Sequence, residues 1–223
     1  MVFGTVPTVA PEQRRREPSR ASRQAPRHDR SGHRERLIAA MAASIEKKGY
    51  RETTVADVVR IARTSRRNYY EHFDDRGACF LALFDATNED KLEQIATAVR
   101  PDQPWEQQVD DAIGAYLDTL AARPALSQSF VRELPALGQA GAACQRAAIE
   151  RMAELLVTLV ESGRREQPEI GAHPLTTDMA LIIVGGLFEL TVIAIERGRN
   201  LRELRSIAAD AVKAILGGTV LQP

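Results

Sequence analysis

Cysteine is nearly absent: two of 223 residues, Cys79 and Cys144, with no Cys or His neighbour at metal-ligand spacing. That excludes a disulfide framework or a zinc module as the organising principle and suits a reducing, cytoplasmic location, with both thiols read as small buried hydrophobes. No secretory signal is expected, because Met1–Ala10 is short, broken by Gly4 and Pro7, and lies ahead of its arginines rather than behind them. Long apolar runs are missing too. Met179–Ile195 comes nearest to a membrane span but carries Gly185, Gly186 and Glu189, so a helix buried at an interface is the expectation, with no membrane partner. Catalytic signatures do not occur: no Gly-x-Ser-x-Gly, no His-Glu-x-x-His, no phosphate-binding Gly-rich loop and no Cys-x-x-Cys. The chain is expected to be neither an enzyme nor the holder of a metal or cofactor. Lysine is scarce, 4 against 26 arginines, a bias attributed to GC-rich coding rather than to chemistry.

What is present is an uneven distribution of charge. Thirty basic and 30 acidic side chains cancel, yet residues 1–77 hold 17 basic and 10 acidic ones, while residues 78–223 hold 13 and 20. Only the first part is suited to a polyanion. Residues 1–31 combine four prolines with seven arginines and almost nothing apolar after Ala10, which reads as a disordered basic arm.

Helical periodicity starts near His33, where Leu37, Met41 and Ile45 recur at i, i+4, i+8 until Gly49 stops the run. Thr54 and Asp57 form a variant capping box ahead of Val55, Val58, Val59 and Ala62. Ser65 caps a third short helix whose buried edge is Tyr69 and Phe73, leaving Arg66, Arg67 and Tyr70 on its other face. Asp74 or Asp75 opens a longer helix to about Val99. Further helices are expected over 105–122, 124–133, 140–165, 176–197 and 201–216, with no strand-like alternation and no internal repeat. The fold class is therefore all-α with about nine helices: an arm over 1–31, a basic three-helix domain over 32–77 and an acidic helical bundle over 78–223.

Two short helices joined by about four residues, the second with a basic and aromatic outer face, make a helix-turn-helix, whose second helix fits the DNA major groove. Arg66 and Arg67 lie near the start of that helix, where a guanidinium fork can match guanine. Thr54, Ser65 and Tyr70 suit phosphate oxygens, helped by the exposed amides at the two helix starts.

The stretch Gly49-Tyr50-Arg51-Glu52-Thr53-Thr54-Val55, then Val58 and Ala62, then Ser65-Arg66-Arg67-Asn68-Tyr69-Tyr70-Glu71-His72-Phe73-Asp74-Asp75-Arg76 resembles the tetracycline-repressor (TetR) family of bacterial transcription regulators. The resemblance covers about residues 33–85. It implies that Tyr69 and Phe73 hold the recognition helix to its core, that Ser65, Arg66, Arg67, Asn68, Tyr70 and His72 face DNA, and that Arg76 grips phosphate. Two departures stand out. Arg63 occupies a position where the family often has glycine, and Thr64 one where it often has an apolar residue, so the turn is expected to be strained. Arg67 takes a place often held by a small residue, so an operator cannot be borrowed from a relative.

By analogy, the acidic bundle binds a small effector and forms a homodimer. Residues 176–197 are apolar nearly all round, and Leu201, Leu204, Ala208, Ala211 and Ile215 stripe the last helix, which supports a four-helix interface between two copies. Phe80, Phe84, Trp105, Tyr116, Phe130 and Met152 are the candidates to line a pocket, against the plain alternative of core packing. The expected function is a ligand-responsive regulator binding a double-stranded operator, a repressor released by a small hydrophobic molecule. The alternative is an architectural protein that coats DNA without sequence preference.

Overall fold

A computed structural model describes residues 27–166 and 174–217, together with Met1. Nine α-helices occur among the described residues, with no strand: α1 Arg27–Lys48, α2 Val55–Ile61, α3 Arg66–Tyr70, α4 Arg76–Ala98, α5 Trp105–Ala122, α6 Pro124–Glu133, α7 Gly138–Glu166, α8 Thr177–Glu196 and α9 Arg205–Gly217. Short 3-10 turns over Pro135–Leu137 and Leu201–Leu204 precede α7 and α9. The expected disordered arm falls largely outside the described residues. Its last part does not: α1 begins at Arg27, six residues before the expected start.

The helix ends follow local chemistry. Gly49 ends α1 at φ +80°, with its amide on the Ile45 carbonyl at 2.7 Å, a left-handed turn that glycine adopts without a Cβ penalty. Thr54 and Asp57 complete a reciprocal capping box, Thr54 Oγ1 accepting from the Asp57 amide at 3.2 Å and Asp57 Oδ2 accepting from the Thr54 amide at 3.0 Å. Ser65 caps α3 and Asp75 caps α4 with a single bond each, accepting from the Asn68 and Ala78 amides.

Two apolar cores result. The first joins Leu37, Met41 and Ile45 of α1, Val58 and Val59 of α2, Tyr69, and Cys79, Phe80, Leu83 and Phe84 of α4. It also takes Leu126, Phe130 and Leu134 from the α6 region, so a boundary at residue 77 divides the sequence but not the core. α2 and α3, at 7 and 5 residues, are far below the ~12 residues a free helix needs and owe their order to this burial and to their caps. The second core gathers the far end of α4 with α5, α7, α8 and α9. α4 is common to both.

Candidate nucleic-acid interface and internal cavity

The turn between α2 and α3 is tight. Arg63 sits at φ +51°, the one non-glycine residue with positive φ among those described, as its replacement of the family's glycine implied. The Thr64 amide then reaches back to the Val59 carbonyl at 3.0 Å and the Arg63 amide to Arg60 at 3.3 Å, closing a left-handed helix end before Ser65 starts the next.

Tyr69 anchors α3. Its ring is fully buried, packs against Phe73 at 5.7 Å and edge-on to Tyr70 at 5.4 Å, and its hydroxyl donates to the Asp75 carbonyl at 3.0 Å. Because Tyr69 points inward, the remaining positions of this one-and-a-half-turn helix point outward. Arg66 and Arg67 are exposed, the Arg67 side chain by 90%, and Tyr70 by 55%. Arg67 Nε lies 3.3 Å from Glu71 Oε1, an exposed pair that holds it weakly. Asn68 is half-buried and donates its amide to Thr64 Oγ1 at 2.8 Å, and His72 is half-buried beside the Phe73 ring. Thr54 and Ser65 are exposed at the starts of α2 and α3.

Arg76 is engaged otherwise than the resemblance implies. Its Nη1 donates to the carbonyls of Tyr50, Arg51 and Thr53 at 3.2, 3.3 and 2.7 Å, and its guanidinium lies 4.3 Å from the Tyr50 ring centroid. It fastens the α1–α2 turn to α4. Two further exposed arginines are not marked out by the sequence as candidate contacts: Arg34 on α1, with its guanidinium over the Phe73 ring at 5.5 Å, and Arg63, which stands out there only for its backbone. The mixed composition of α1 gave no signal for the first. Asp57 holds Lys48 at 2.7 Å and Arg60 at 3.3 Å. Lys48 first, then the Thr54 hydroxyl and amide, keep its carboxyl well below the usual carboxylate range.

The second core surrounds a cavity of about 700 Å³, within the usual range for small-molecule sites. Phe84, Trp105, Tyr116, Phe130 and Met152 all stand on its wall; Phe80 does not, stacking instead on Tyr50 at 4.1 Å in the first core. Phe84 and Phe130 belong to both places: they meet edge-to-face at 5.1 Å in the first core and also border the cavity. The wall is mainly apolar, and several of its polar groups are already committed. Tyr116 Oη and Thr191 Oγ1 pair at 3.1 Å, Gln108 Nε2 donates to the Pro101 and Gln103 carbonyls, and Ser127 Oγ donates to Leu120 O. Lys91, which nothing in the sequence marked out, also borders the cavity.

The last two helices are incompletely covered. α8 has a mean hydropathy of 2.1, and among the described residues it alone is long and apolar enough to cross a membrane by length and composition, yet only 28% of its apolar window is buried. Ile182 is 64% exposed and Ile207 on α9 59%. The expected α9 stripe splits: Leu201, Leu204 and Ala208 turn into the chain's own core, while Ala211 and Ile215 remain outside, beside Ile207, which the stripe did not include. The reason lies in α9 itself: its buried face is centred on Ala208, Ala209 and Val212, so Ala211 and Ile215 fall on the flank turned away from the core.

Residues 37–83 match the family model for bacterial regulatory proteins of the tetR family. The whole fold is similar to a putative TetR-family transcriptional regulator from Syntrophomonas wolfei, at 13% identity over 86% of this chain and 99% of that one, with a TM-score of 0.67. It is similar also to the transcriptional regulator FadR from Bacillus subtilis, solved in complex with stearoyl-CoA, at 16% identity, 82% and 98% coverage and a TM-score of 0.63. The fatty acid degradation regulator FadR from Bacillus halodurans gives 19% identity, 85% and 97% coverage and 0.61. At these identities the likeness is one of fold. No curated protein matches the chain.

Proposed function

We propose that this chain, whose residues 37–83 match the family model for bacterial regulatory proteins of the tetR family and whose fold resembles that of such regulators, is a DNA-binding transcription regulator of that family, a homodimeric repressor released from its operator by a small apolar effector. In this reading α3 of each subunit enters the major groove, Arg66 and Arg67 meet base edges, and Thr54, Ser65, Asn68, Tyr70 and His72 meet the backbone and its flanks. Arg76 acts from behind, by holding the turn that presents Thr54. Two copies joined through α8 and α9 would read a roughly palindromic site.

One observation carries the regulatory part: Phe84 and Phe130 are at once the wall of the cavity and the packing of α4 and α6 onto the DNA-reading core. A molecule in the cavity touches the same rings that seat the reader. Packed cores switch between discrete arrangements rather than deform smoothly, so a shifted ring pair is transmitted to the orientation of α3. Release requires the effector to bind the DNA-free arrangement better, and a 100-fold effect corresponds to about 2.7 kcal/mol of coupling.

The test is fluorescence anisotropy on duplexes tiling the gene's own upstream region, against a shuffled duplex at fixed near-physiological salt. One tile bound about 1,000-fold more tightly than the shuffle is the expected result. Equal affinity for every duplex, wherever in the genome it is drawn from, would replace this reading with an architectural one.

A further inference from the structure

One cation on the cavity wall, Lys91, has no carboxylate paired with it among the described residues. Lys91 leaves α4 among Asn88, Ile95 and Phe84, and its Nζ donates to Asn88 Oδ1 at 2.7 Å and lies 5.7 Å from the Tyr116 ring centroid. An ammonium has three donors; among the described residues the second and third find no hydrogen-bond acceptor, and no carboxylate stands within ion-pair distance. Asn88 is itself buried and spends its own amide on the Phe84 carbonyl at 2.8 Å, so its side chain is fixed with the oxygen toward Lys91. The other charged groups on the wall are engaged or outside: Arg123 is paired with Glu46 and Arg164 with Glu161, and Asp90, Glu189 and Glu196 are exposed. The same cavity wall carries Ile95, Ile113, Met152 and Leu156, from three different helices.

We propose that Lys91 is the anion-recognition residue of the cavity, and that the effector is an apolar carboxylic acid whose carboxylate accepts from Nζ while its alkyl chain lies between α4, α5 and α7. This deepens the effector reading above and rests on it only for the consequence on DNA. Lys91 is half-buried, and leaving such a charge without a counter-ion costs free energy that a neutral guest relieves only in part, whereas an anionic guest completes a charge-assisted hydrogen bond. Burial lowers the Lys91 ammonium to about 8, which still leaves it mostly charged at neutral pH. The shape favours a chain over a compact ring: lining residues run along α4 from Phe84 to Val99, about 22 Å at 1.5 Å per residue.

The chain's single tryptophan, Trp105, stands on the cavity wall and reports binding by its fluorescence. The full-length protein would be titrated at pH 7 with decanoate, decanol, methyl decanoate, decylammonium and decanoyl-CoA, each below its micellar concentration. Decanoate is expected to bind at least about tenfold more tightly than decanol or the ester, and decylammonium to bind most weakly. In Lys91→Met the acid's advantage should disappear while decanol binding persists, and the melting curve and affinity for non-specific duplex show that the variant is folded. Equal binding of acid and alcohol to the native protein, an advantage that survives Lys91→Met, binding of decanoyl-CoA without the free acid, or binding of none of the five would each overturn the assignment. Decanoate that binds through Lys91 yet leaves operator affinity unchanged would uphold the assignment and refute the effector role.

Discussion

Arg63 carries a conformational cost that its neighbours do not relieve. A side chain in the left-handed region costs roughly 1–2 kcal/mol, and glycine there gives back part of that in unfolded-state entropy. Arg63→Gly is therefore expected to raise stability by about 1 kcal/mol in urea unfolding, with an unchanged m-value. Arg67 stands at the opposite extreme, exposed and weakly held, which is the state of a side chain free to meet a base. Arg67→Ala should weaken operator binding by about 1–3 kcal/mol and relax preference at one base pair. An equal loss on random duplex would make it a phosphate contact. Lys91 ties stability to pH: its ammonium is lowered from 10.5 to about 8 by burial. The unfolded chain thus holds the extra proton between those values, so stability rises with pH from about 8 to 10.5. Lys91→Met should remove that rise and add on the order of 2 kcal/mol at pH 7, less than the full shift because Asn88 loses its donor. Thermal melts at pH 7 and pH 10.5 check both, the gap between variants closing at the higher pH.

At the scale of elements, short helices are held by their ends and by close approach. Gly141, in the first turn of α7, lies so near the 3-10 turn that a Cβ there would overlap the Leu134 carbonyl oxygen. Backbone cannot move aside as a flexible side chain does, so Gly141→Ala is expected to cost about 1–3 kcal/mol. Because Leu134 closes the first core next to Phe130, the same substitution should also weaken operator binding, read by anisotropy under conditions where the variant is fully folded. Gly114 offers the contrast: a Cβ there meets only the Arg205 guanidinium, whose bond to Asp118 is exposed and can be re-formed.

For the whole molecule, the question is what covers α8 and α9. Ile182 and Gly186 on α8 and Ile207, Ala211 and Ile215 on α9 face outward, and none of the described residues comes within 4 Å of a Cβ built at Gly185 or Gly186. A second copy laid on this face would bring backbones close at the glycine pair and remove the isoleucines from water. The double variant Ile182→Glu, Ile207→Glu is expected to shift the protein from dimer to monomer in light scattering at micromolar concentration. It should cut operator affinity by at least about tenfold, because each half-site is then bound alone. A dimer that survives both charges would place the interface elsewhere.

Helix positions were legible because their signals are local: Thr54, Ser65 and Asp75 each act on an amide three residues on, and Gly49 or Pro104 stops or starts a helix by its own backbone. The outward face of α3 followed in the same way, since fixing Tyr69 inward decides where Arg66, Arg67 and Tyr70 point. Aromatic spacing even picked out residues that border the cavity, although periodicity alone cannot distinguish a wall from a core. What tertiary structure decided is non-local. It captured Arg76 behind the α1–α2 turn, split the α9 stripe between inside and outside, made Phe84 and Phe130 common to the reader and the cavity, and left Lys91 without a carboxylate. Each depends on which distant helix arrives opposite a given side chain. A pattern that repeats every 3.6 residues describes the face of a helix and carries no record of its neighbour.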